Sequence, residues 1–312
     1  MIVADPIEEL FAERFPHPQK VLGTFHDLYV YINGQFLRGT DARVSIWEHG
    51  LLYSDGVFEG IRAYNGRIFR LSEHLDRLFD SAQGLGITKI PLAKEEIAKV
   101  ILACLRINRL TDAHIKPVIT RGIGPMGMDP RRCPCPSVIV YAYPLPPLLG
   151  EHPVRLITSS VRRKSPHSID AKIKSLAYID NLLSKLQAIS AGCDDALMLD
   201  LSGCVAEATG ANIFAVRGRE IRTPKAVAAL PGITRRLILD VSSTLGYSAI
   251  VDDLTLQDLY AADEVFLTGT AVEIVPVAEI DGRHIKFAPG PAVRQFLALF
   301  REAIVREGIP YL

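Results

Sequence analysis

Hydrophobic residues in the first half of this 312-residue chain switch between strand spacing and helix spacing. Residues 27–37 place apolar residues on both sides of an Asn33–Gly34 pair, which predicts a β-hairpin. Alternating, β-branched segments predict further strands at residues 57–64, 67–69, 115–120 and 137–143. Spacings of three and four residues predict helices at residues 72–84 and 94–107, with Ser72 as the first N-cap. These elements predict a small α+β domain over residues 27–143, preceded by an N-terminal extension over residues 1–26.

A proline-rich segment separates this unit from the rest of the chain. Residues 144–153 contain four prolines and a glycine, which cannot continue a helix or a central strand, so they are predicted to be an interdomain linker. Beyond it, strands are predicted at residues 154–159, 196–199, 204–206, 213–216, 220–223, 249–251 and 264–268. Helices are predicted at residues 178–191, 234–245, 256–261 and 292–307. Many strands with interspersed helices predict a larger, barrel-like second domain over residues 154–312.

Composition narrows the classes of function. The chain has 35 Lys+Arg and 35 Asp+Glu residues, so it lacks the basic surplus that draws proteins to nucleic acid or anionic membranes. Its five cysteines are odd in number and scattered, which favours reduced thiols in the cytoplasm, and no further ligands accompany Cys133 and Cys135 to suggest a metal site. No targeting sequence and no long apolar run is apparent, so no membrane span is expected.

Candidate chemistry centres on Lys174, which directly precedes a predicted helix. Glu207 lies between two alanines on a predicted strand, and Gly232–Thr234 and Thr268–Thr270 place glycine beside threonine hydroxyls where backbone amides can bind an anion. An amine, a carboxylate and two anion sites are what pyridoxal phosphate requires. Each feature alone has an ordinary alternative: a solvated lysine, a glutamate on a wet strand face, and turns that only cap helices.

Several segments together carry a family resemblance. They are Tyr53-Ser-Asp-Gly-Val-Phe-Glu-Gly-Ile-Arg-Ala-Tyr64, residues 69–78, Lys174-Ser-Leu-Ala-Tyr178, residues 205–214, residues 230–235 and residues 262–276. In this order they resemble the branched-chain amino acid aminotransferases, a family of fold-type IV pyridoxal phosphate enzymes, over residues 31–285. The resemblance implies an α/β (α+β) fold with a small N-terminal domain and a larger β-barrel-like domain that binds the cofactor.

The resemblance also implies roles for individual residues. Lys174 is the catalytic residue that carries the cofactor and moves the proton, Tyr178 faces the ring hydroxyl and Glu207 faces the ring nitrogen. The implied phosphate site comprises Arg77, Gly232, Ile233, Thr234 and Thr270, with Asn212 nearby. The implied substrate site comprises Tyr53, Phe58, Arg62, His114, Lys116, Met126, Thr270 and Ala271. A neighbouring subunit completes the site in this family, so a homodimer or higher homo-oligomer is expected.

The expected activity is reversible, ping-pong amino transfer between leucine, isoleucine or valine and 2-oxoglutarate. One segment departs from the family: His114-Ile-Lys116 stands where its members usually have Tyr-Ile-Arg. Because lysine lacks the bidentate fork of arginine, this replacement suggests an altered substrate range. It leaves a D-amino acid or (R)-amine aminotransferase as the main alternative. An aminodeoxychorismate lyase and a non-catalytic cofactor carrier are less favoured.

Overall fold

The computed structural model of the protein describes residues 25, 27–150 and 152–312. The predicted extension over residues 1–26 lies outside these residues, except for Phe25. The first part of the chain forms strands β1 (Tyr29–Ile32), β2 (Gln35–Arg38), β3 (Gly56–Phe58), β4 (Ile61–Tyr64), β5 (Arg67–Ile68), β6 (Ala113–Thr120) and β7 (Ser137–Tyr143). Its helices are α1 (His49–Tyr53), α2 (Leu71–Gly84) and α3 (Lys94–Ile107). The strands join one sheet, and α2 and α3 bury leucines and isoleucines against it.

The strand predicted at residues 57–64 is divided into two, opposite a proline on the neighbouring strand β6. β3 and β4 both pair antiparallel with β6, and Val57 faces Ile119 while Ile61 faces Ile115. Pro117 lies between these contacts and has no N–H group to donate, although its carbonyl accepts a hydrogen bond from the Glu59 N–H at 3.0 Å. The ladder therefore breaks at Glu59 and Gly60, beside the cavity described below.

The start of α2 differs from the sequence prediction, which named Ser72 as its N-cap. The helix begins at Leu71, and the capping position belongs to Arg70, whose φ of 49° is left-handed. Nε of Arg70 donates to a carboxylate oxygen of Glu307 at 2.9 Å. The prediction was wrong because a contact with a residue far along the chain holds the entry to this helix.

The second part of the chain forms a nine-stranded sheet. Its strands are β8 (Val154–Thr158), β9 (Asp195–Leu199), β10 (Val205–Ala208), β11 (Asn212–Arg217), β12 (Glu220–Pro224), β13 (Ser248–Asp252), β14 (Glu264–Gly269), β15 (Glu273–Ile280) and β16 (Arg283–His284). They are ordered β10-β9-β8-β15-β14-β11-β12-β13, with β16 paired to β15. The Ala208 N–H also donates to the Ala211 carbonyl at 2.8 Å, which links β10 back towards β11 and curls the sheet. The predicted fold class, with a barrel-like second sheet, is confirmed.

Four helices accompany this sheet: α4 (Ile179–Ser190), α5 (Ile233–Val241), α6 (Leu256–Tyr260) and α7 (Pro291–Glu307). α5 and α7 pack on one side of it, in a core that contains Phe214, Phe266, Phe296 and Phe300. No helix in the described ranges is both long and apolar enough to cross a membrane.

The C-terminus returns to the first sheet. After α7, strand β17 (Ile309–Pro310) pairs with β5, and Tyr311 is buried in the core of the first sheet. The Tyr311 hydroxyl donates to the Leu110 carbonyl at 2.7 Å. This pairing differs from the sequence prediction, which placed all of residues 154–312 in the second domain, because a two-residue strand has too few positions to show a pattern.

Helix α4 buries polar side chains and exposes apolar ones. Its buried positions are Asp180, Asn181, Ser184 and Ala188. Five large apolar side chains instead point outwards with 46% to 66% of their surface exposed: Ile179, Leu182, Leu183, Leu186 and Ile189. Residues spaced in this way are neighbours on a helix surface, so they form one apolar stripe, which we call the α4 stripe. Stripes of this kind mark surfaces that contact a partner.

Candidate active site

A cavity of about 260 Å³ lies between the two sheets. β3, α2 and β6 contribute one wall, and the β10–β11 region, the start of α5 and the β14–β15 turn contribute the other. The predicted site residues that line it are Phe58, Arg77, His114, Lys116, Lys174, Tyr178, Glu207, Asn212, Gly232, Ile233, Thr234, Thr270 and Ala271. The fold therefore brings together residues from seven separate segments of the chain.

Lys174 is held by hydrogen bonds on both sides of its backbone. Its carbonyl accepts from the Phe58 N–H at 3.0 Å, and its N–H donates to the Ser81 hydroxyl at 3.1 Å. These bonds place the segment against β3 and α2. The Lys174 Nζ lies 3.3 Å from the Tyr178 hydroxyl and 4.8 Å from the centre of the Phe58 ring. Lys172, two residues earlier, is exposed, so the amine in the cavity is that of Lys174.

The Glu207 carboxylate is buried and bonded on both oxygens. Its Oε1 lies 2.8 Å from Nη2 of Arg163, and its Oε2 accepts from the Leu230 N–H at 3.1 Å and from Asn212 Nδ2 at 3.3 Å. Burial raises the pKa of Glu207, and the guanidinium of Arg163 opposes that rise. A buried carboxylate with a cation beside it can stay ionised and accept a proton-bearing nitrogen.

The start of α5, at residues 232–234, is a candidate anion site, which we call the α5 anion site. Gly232 occupies the N-cap with an extended backbone, so the N–H groups of the first helical turn are free of partners inside the helix. A Cβ at Gly232 would lie 2.0 Å from Oδ1 of Asn212, so only glycine fits there. The Thr268 hydroxyl is buried beside the cavity and has no hydrogen-bond partner among the described residues. These groups suit a phosphate.

The opposite wall of the cavity carries a second amine. The Lys116 Nζ lies 4.6 Å from the centre of the Phe58 ring, and burial, followed by the charge of Lys174, lowers its pKa. Burial is also the main reason that the pKa of His114 falls to about 4, with Arg62 and Lys116 adding to it. His114 is therefore neutral near pH 7, whereas Lys116 and Arg77 line this wall as cations.

Three predicted substrate residues do not line the cavity of this chain. Arg62 is buried with its Nη2 3.7 Å from Glu273, and its Nε and Nη1 lack partners among the residues that the structure describes. Tyr53 accepts a hydrogen bond from the Gly127 N–H at 3.0 Å, and Met126 is 70% exposed. Tyr53 and Met126 instead lie exposed on the surface of the first part of the chain.

Sequence reasoning missed three titratable residues around the site. Arg163 binds Glu207, while Glu59 and His74 form a buried cluster with Arg77. Glu59 carried a usable signal, because it is an acidic residue within an apolar strand segment. Arg163 carried none, since its partner is 44 residues away and the loop that holds it has no regular pattern.

The donor set fits pyridoxal phosphate. The cavity offers the amine of Lys174, the buried carboxylate of Glu207, and the start of α5 with Gly232 at its N-cap. The unpartnered hydroxyl of Thr268 supplies a further donor that the protein itself leaves unused. An aromatic aldehyde with a ring nitrogen and a phosphate matches each of these groups.

Comparisons with known proteins agree with this chemistry. The sequence model of the amino-transferase class IV family matches residues 56–280. A protein of Methanocaldococcus jannaschii, provisionally named a branched-chain-amino-acid aminotransferase, is 52% identical over 282 residues, which are 90% of this chain and 98% of that protein. The branched-chain aminotransferase of Thermoproteus uzoniensis, solved with norvaline, has a TM-score of 0.86 and 33% identity, covering 91% of this chain and 99% of that one.

A third comparison includes a cofactor adduct. The T.th. branched-chain amino acid aminotransferase, solved in complex with N-(5'-phosphopyridoxyl)-L-glutamate, has a TM-score of 0.84 and 36% identity, covering 90% of this chain and 95% of that one. The family predicted from the motifs is thereby confirmed. The chain belongs to the class IV aminotransferases and, within them, to the branched-chain amino acid aminotransferase family.

Proposed function

We propose that this protein is a pyridoxal-phosphate-dependent transaminase that exchanges amino groups between L-leucine, L-isoleucine or L-valine and 2-oxoglutarate by a reversible ping-pong mechanism. The observation that carries the proposal is one cavity that holds the Lys174 amine, the buried Glu207 carboxylate and the α5 anion site. The names of the similar proteins agree with it, and none of them favours the D-amino acid, (R)-amine or lyase alternatives.

Residues of the cavity divide the work of holding the cofactor. The amides of Ile233 and Thr234, with Arg77 and Thr270, would hold the phosphate, and the Tyr178 hydroxyl would face the ring hydroxyl. Pyridoxal phosphate, when bound, supplies an aldehyde that accepts an amino group and a ring that stabilises negative charge on the substrate carbon. Glu207, kept ionised by Arg163, would hold a proton on the ring nitrogen.

Lys174 would hold and move the substrate proton. Its Nζ lies beside the Phe58 ring and the Tyr178 hydroxyl, which limit the positions that the amine can take. A free amine whose position is restrained can remove a proton from one carbon and return it to another.

The substrate side combines apolar surface with one cation. Phe58, Tyr143 and Leu148 line the cavity and suit a branched aliphatic side chain. Lys116 would attract a substrate carboxylate, although without the bidentate geometry of arginine. The structures solved with norvaline and with phosphopyridoxyl-L-glutamate show that similar proteins bind an aliphatic amino acid and an L-glutamate adduct.

A second copy of the chain is the partner we propose for the exposed apolar surfaces. The α4 stripe starts at Ile179, directly after Tyr178 of the cavity. Further exposed apolar side chains lie in two other segments: Trp47, Leu51, Leu52 and Tyr53 in one, and Ile123, Met126 and Met128 in the other. The Leu176 N–H donates to the Gly56 carbonyl, so the segments carrying the α4 stripe and Tyr53 meet at the cavity. A homo-oligomer would cover these exposed side chains and bring partner side chains to the site.

We also place the enzyme in the cytoplasm. All five cysteines lie in the described ranges and none is paired with another. Proteins of oxidising compartments usually pair their cysteines, whereas cytoplasmic proteins keep them reduced.

The proposed activity is tested by mixing the purified, yellow protein with single amino donors. L-leucine, L-isoleucine and L-valine should each remove the visible absorbance of the cofactor, and 2-oxoglutarate should restore it. D-amino acids and (R)-amines serve as the contrasting panel. If D-alanine removes the absorbance while the three L-amino acids leave it unchanged, the substrate assignment is wrong. A colourless protein that binds no pyridoxal phosphate would refute the whole proposal.

A further inference from the structure

Arg77 reaches the cavity from within a buried cluster of three side chains. Its Nε donates to Oε1 of Glu59 at 2.6 Å, and its Nη2 donates to Oε2 at 2.9 Å. His74 lies on the same helix, one turn earlier, and its Nδ1 is 2.8 Å from Oε2 of Glu59. Glu59 and His74 are almost completely buried. The remaining nitrogen of Arg77, Nη1, donates to the Pro231 carbonyl at 3.0 Å, next to the α5 anion site.

Glu59 is ionised and His74 is neutral in this cluster. Burial by itself would raise the pKa of Glu59, but the charge of Arg77 and the contact with His74 outweigh it and lower that pKa to about 2. Burial lowers the pKa of His74. An ionised carboxylate only accepts hydrogen bonds, so the proton of neutral His74 lies on Nδ1. The carboxylate thus has three donors directed at its two oxygens.

A negative carboxylate near a site for a negative phosphate is electrostatically unfavourable. Glu59 cancels the charge of Arg77 and repels an anion at the start of α5, and both effects weaken phosphate binding. The geometry of the ion pair can offset this loss of phosphate binding, because it holds the guanidinium of Arg77 in place. Bidentate pairing fixes the plane of a guanidinium, whereas a free arginine loses considerable side-chain freedom when it becomes ordered.

We propose that Glu59, supported by His74, is a positioning residue for the phosphate site and acts through Arg77. Its two bonds to Nε and Nη2 leave the Nη1 edge of Arg77 facing Pro231 and the anion site. The break in the strand ladder opposite Pro117 lets the Glu59 side chain turn towards α2, which is how a residue of the first sheet reaches this arginine. This inference rests on the proposed function, because it requires pyridoxal phosphate in the cavity.

The two roles of Glu59 predict opposite results for Glu59→Gln, which removes the charge and keeps the shape. If Glu59 positions Arg77, the glutamine presents an NH₂ group to a donor, the guanidinium turns, and binding weakens. If Glu59 is only a nearby negative charge, binding becomes tighter. His74→Leu removes one of the two donors to Oε2 of Glu59, and His74→Asn restores a donor near the position of Nδ1. The histidine pair also keeps the proposal testable if Glu59→Gln does not fold.

The experiment measures Kd of the full-length apoprotein for pyridoxal phosphate and for pyridoxal, which lacks the phosphate, by quenching of protein fluorescence. We expect Glu59→Gln to weaken binding of pyridoxal phosphate by about tenfold and to change binding of pyridoxal by less than about twofold. His74→Leu should also weaken binding of pyridoxal phosphate, but by a smaller factor, and His74→Asn should bind it about as tightly as the wild type. A loss of stability alone would lower the unfolding temperature and leave the ratio of the two Kd values unchanged.

Two results would overturn the proposal. Tighter binding of pyridoxal phosphate by Glu59→Gln, or an unchanged ratio in both Glu59→Gln and His74→Leu, would show that Glu59 does not position Arg77, and the proposed function would stand. Failure of the wild-type protein to bind pyridoxal phosphate would refute the proposed function and this inference together.

Discussion

Replacing Leu182 and Leu186 by alanine should separate the subunits of the proposed homo-oligomer. Both side chains are 57% exposed on the α4 stripe. Fully burying a leucine stabilises by about 1.5–3 kcal/mol, so covering the exposed part of each contributes about 1.2 kcal/mol. A symmetric dimer buries both leucines of both subunits, so the double variant loses about 5 kcal/mol of association free energy. The dimer Kd should then rise more than about a thousandfold.

Sedimentation velocity over nanomolar to micromolar protein measures this Kd directly. The substituted side chains point outwards and alanine favours helix, so the subunit itself should stay folded. Val305→Ala on α7 is the matched control, because Val305 is 66% exposed outside the α4 stripe. A double variant that associates as tightly as the wild type, or a wild type that is monomeric and fully active, would refute the reasoning.

Three further changes test the cavity and its surroundings. Lys174→Ala should lower turnover by at least about a thousandfold in stopped-flow half-reactions, while Lys172→Ala, on the exposed neighbour, should be nearly normal. Gly232→Ala should weaken pyridoxal phosphate binding by about 1–3 kcal/mol in fluorescence titration, since the added Cβ would lie 2.0 Å from Oδ1 of Asn212. For His114, the folded pKa of about 4 lies below the usual 6.5, so its contribution to stability is complete above pH 6.5 and is lost as the pH falls towards 4. Between pH 6.5 and pH 4, the free energy of unfolding measured with urea should therefore fall by about 3 kcal/mol less in His114→Gln than in the wild type.

The chemistry of the site could be predicted from the sequence because its signals are local and because several segments together resemble one family. The glycine before Ile233 and Thr234 indicates a helix start whatever the position of that helix in the fold. Lys174 is recognised from the four residues that follow it in the sequence. The same holds for most helices and strands, since a spacing of two or of three and four residues reflects one backbone geometry. These predictions needed no knowledge of which segments meet.

Predictions that depended on distant contacts could not be made in this way. The first turn of α2 is set by Arg70 and Glu307, which are 237 residues apart, and the break between β3 and β4 is set by Pro117 on another strand. Helix α4 shows the same limit, because its apolar spacing predicted a helix but not that the stripe faces outwards.

The order of residues alone determined that the chain contains a lysine, a carboxylate and anion-binding turns suited to one cofactor, because each is defined by its immediate neighbours. Only the tertiary structure decided which charges neutralise one another: Arg163 with Glu207, and Arg77 with Glu59. The reason is physical. Ion pairs and burial depend on distances through space, and the folded sheets bring together groups that the covalent chain keeps far apart.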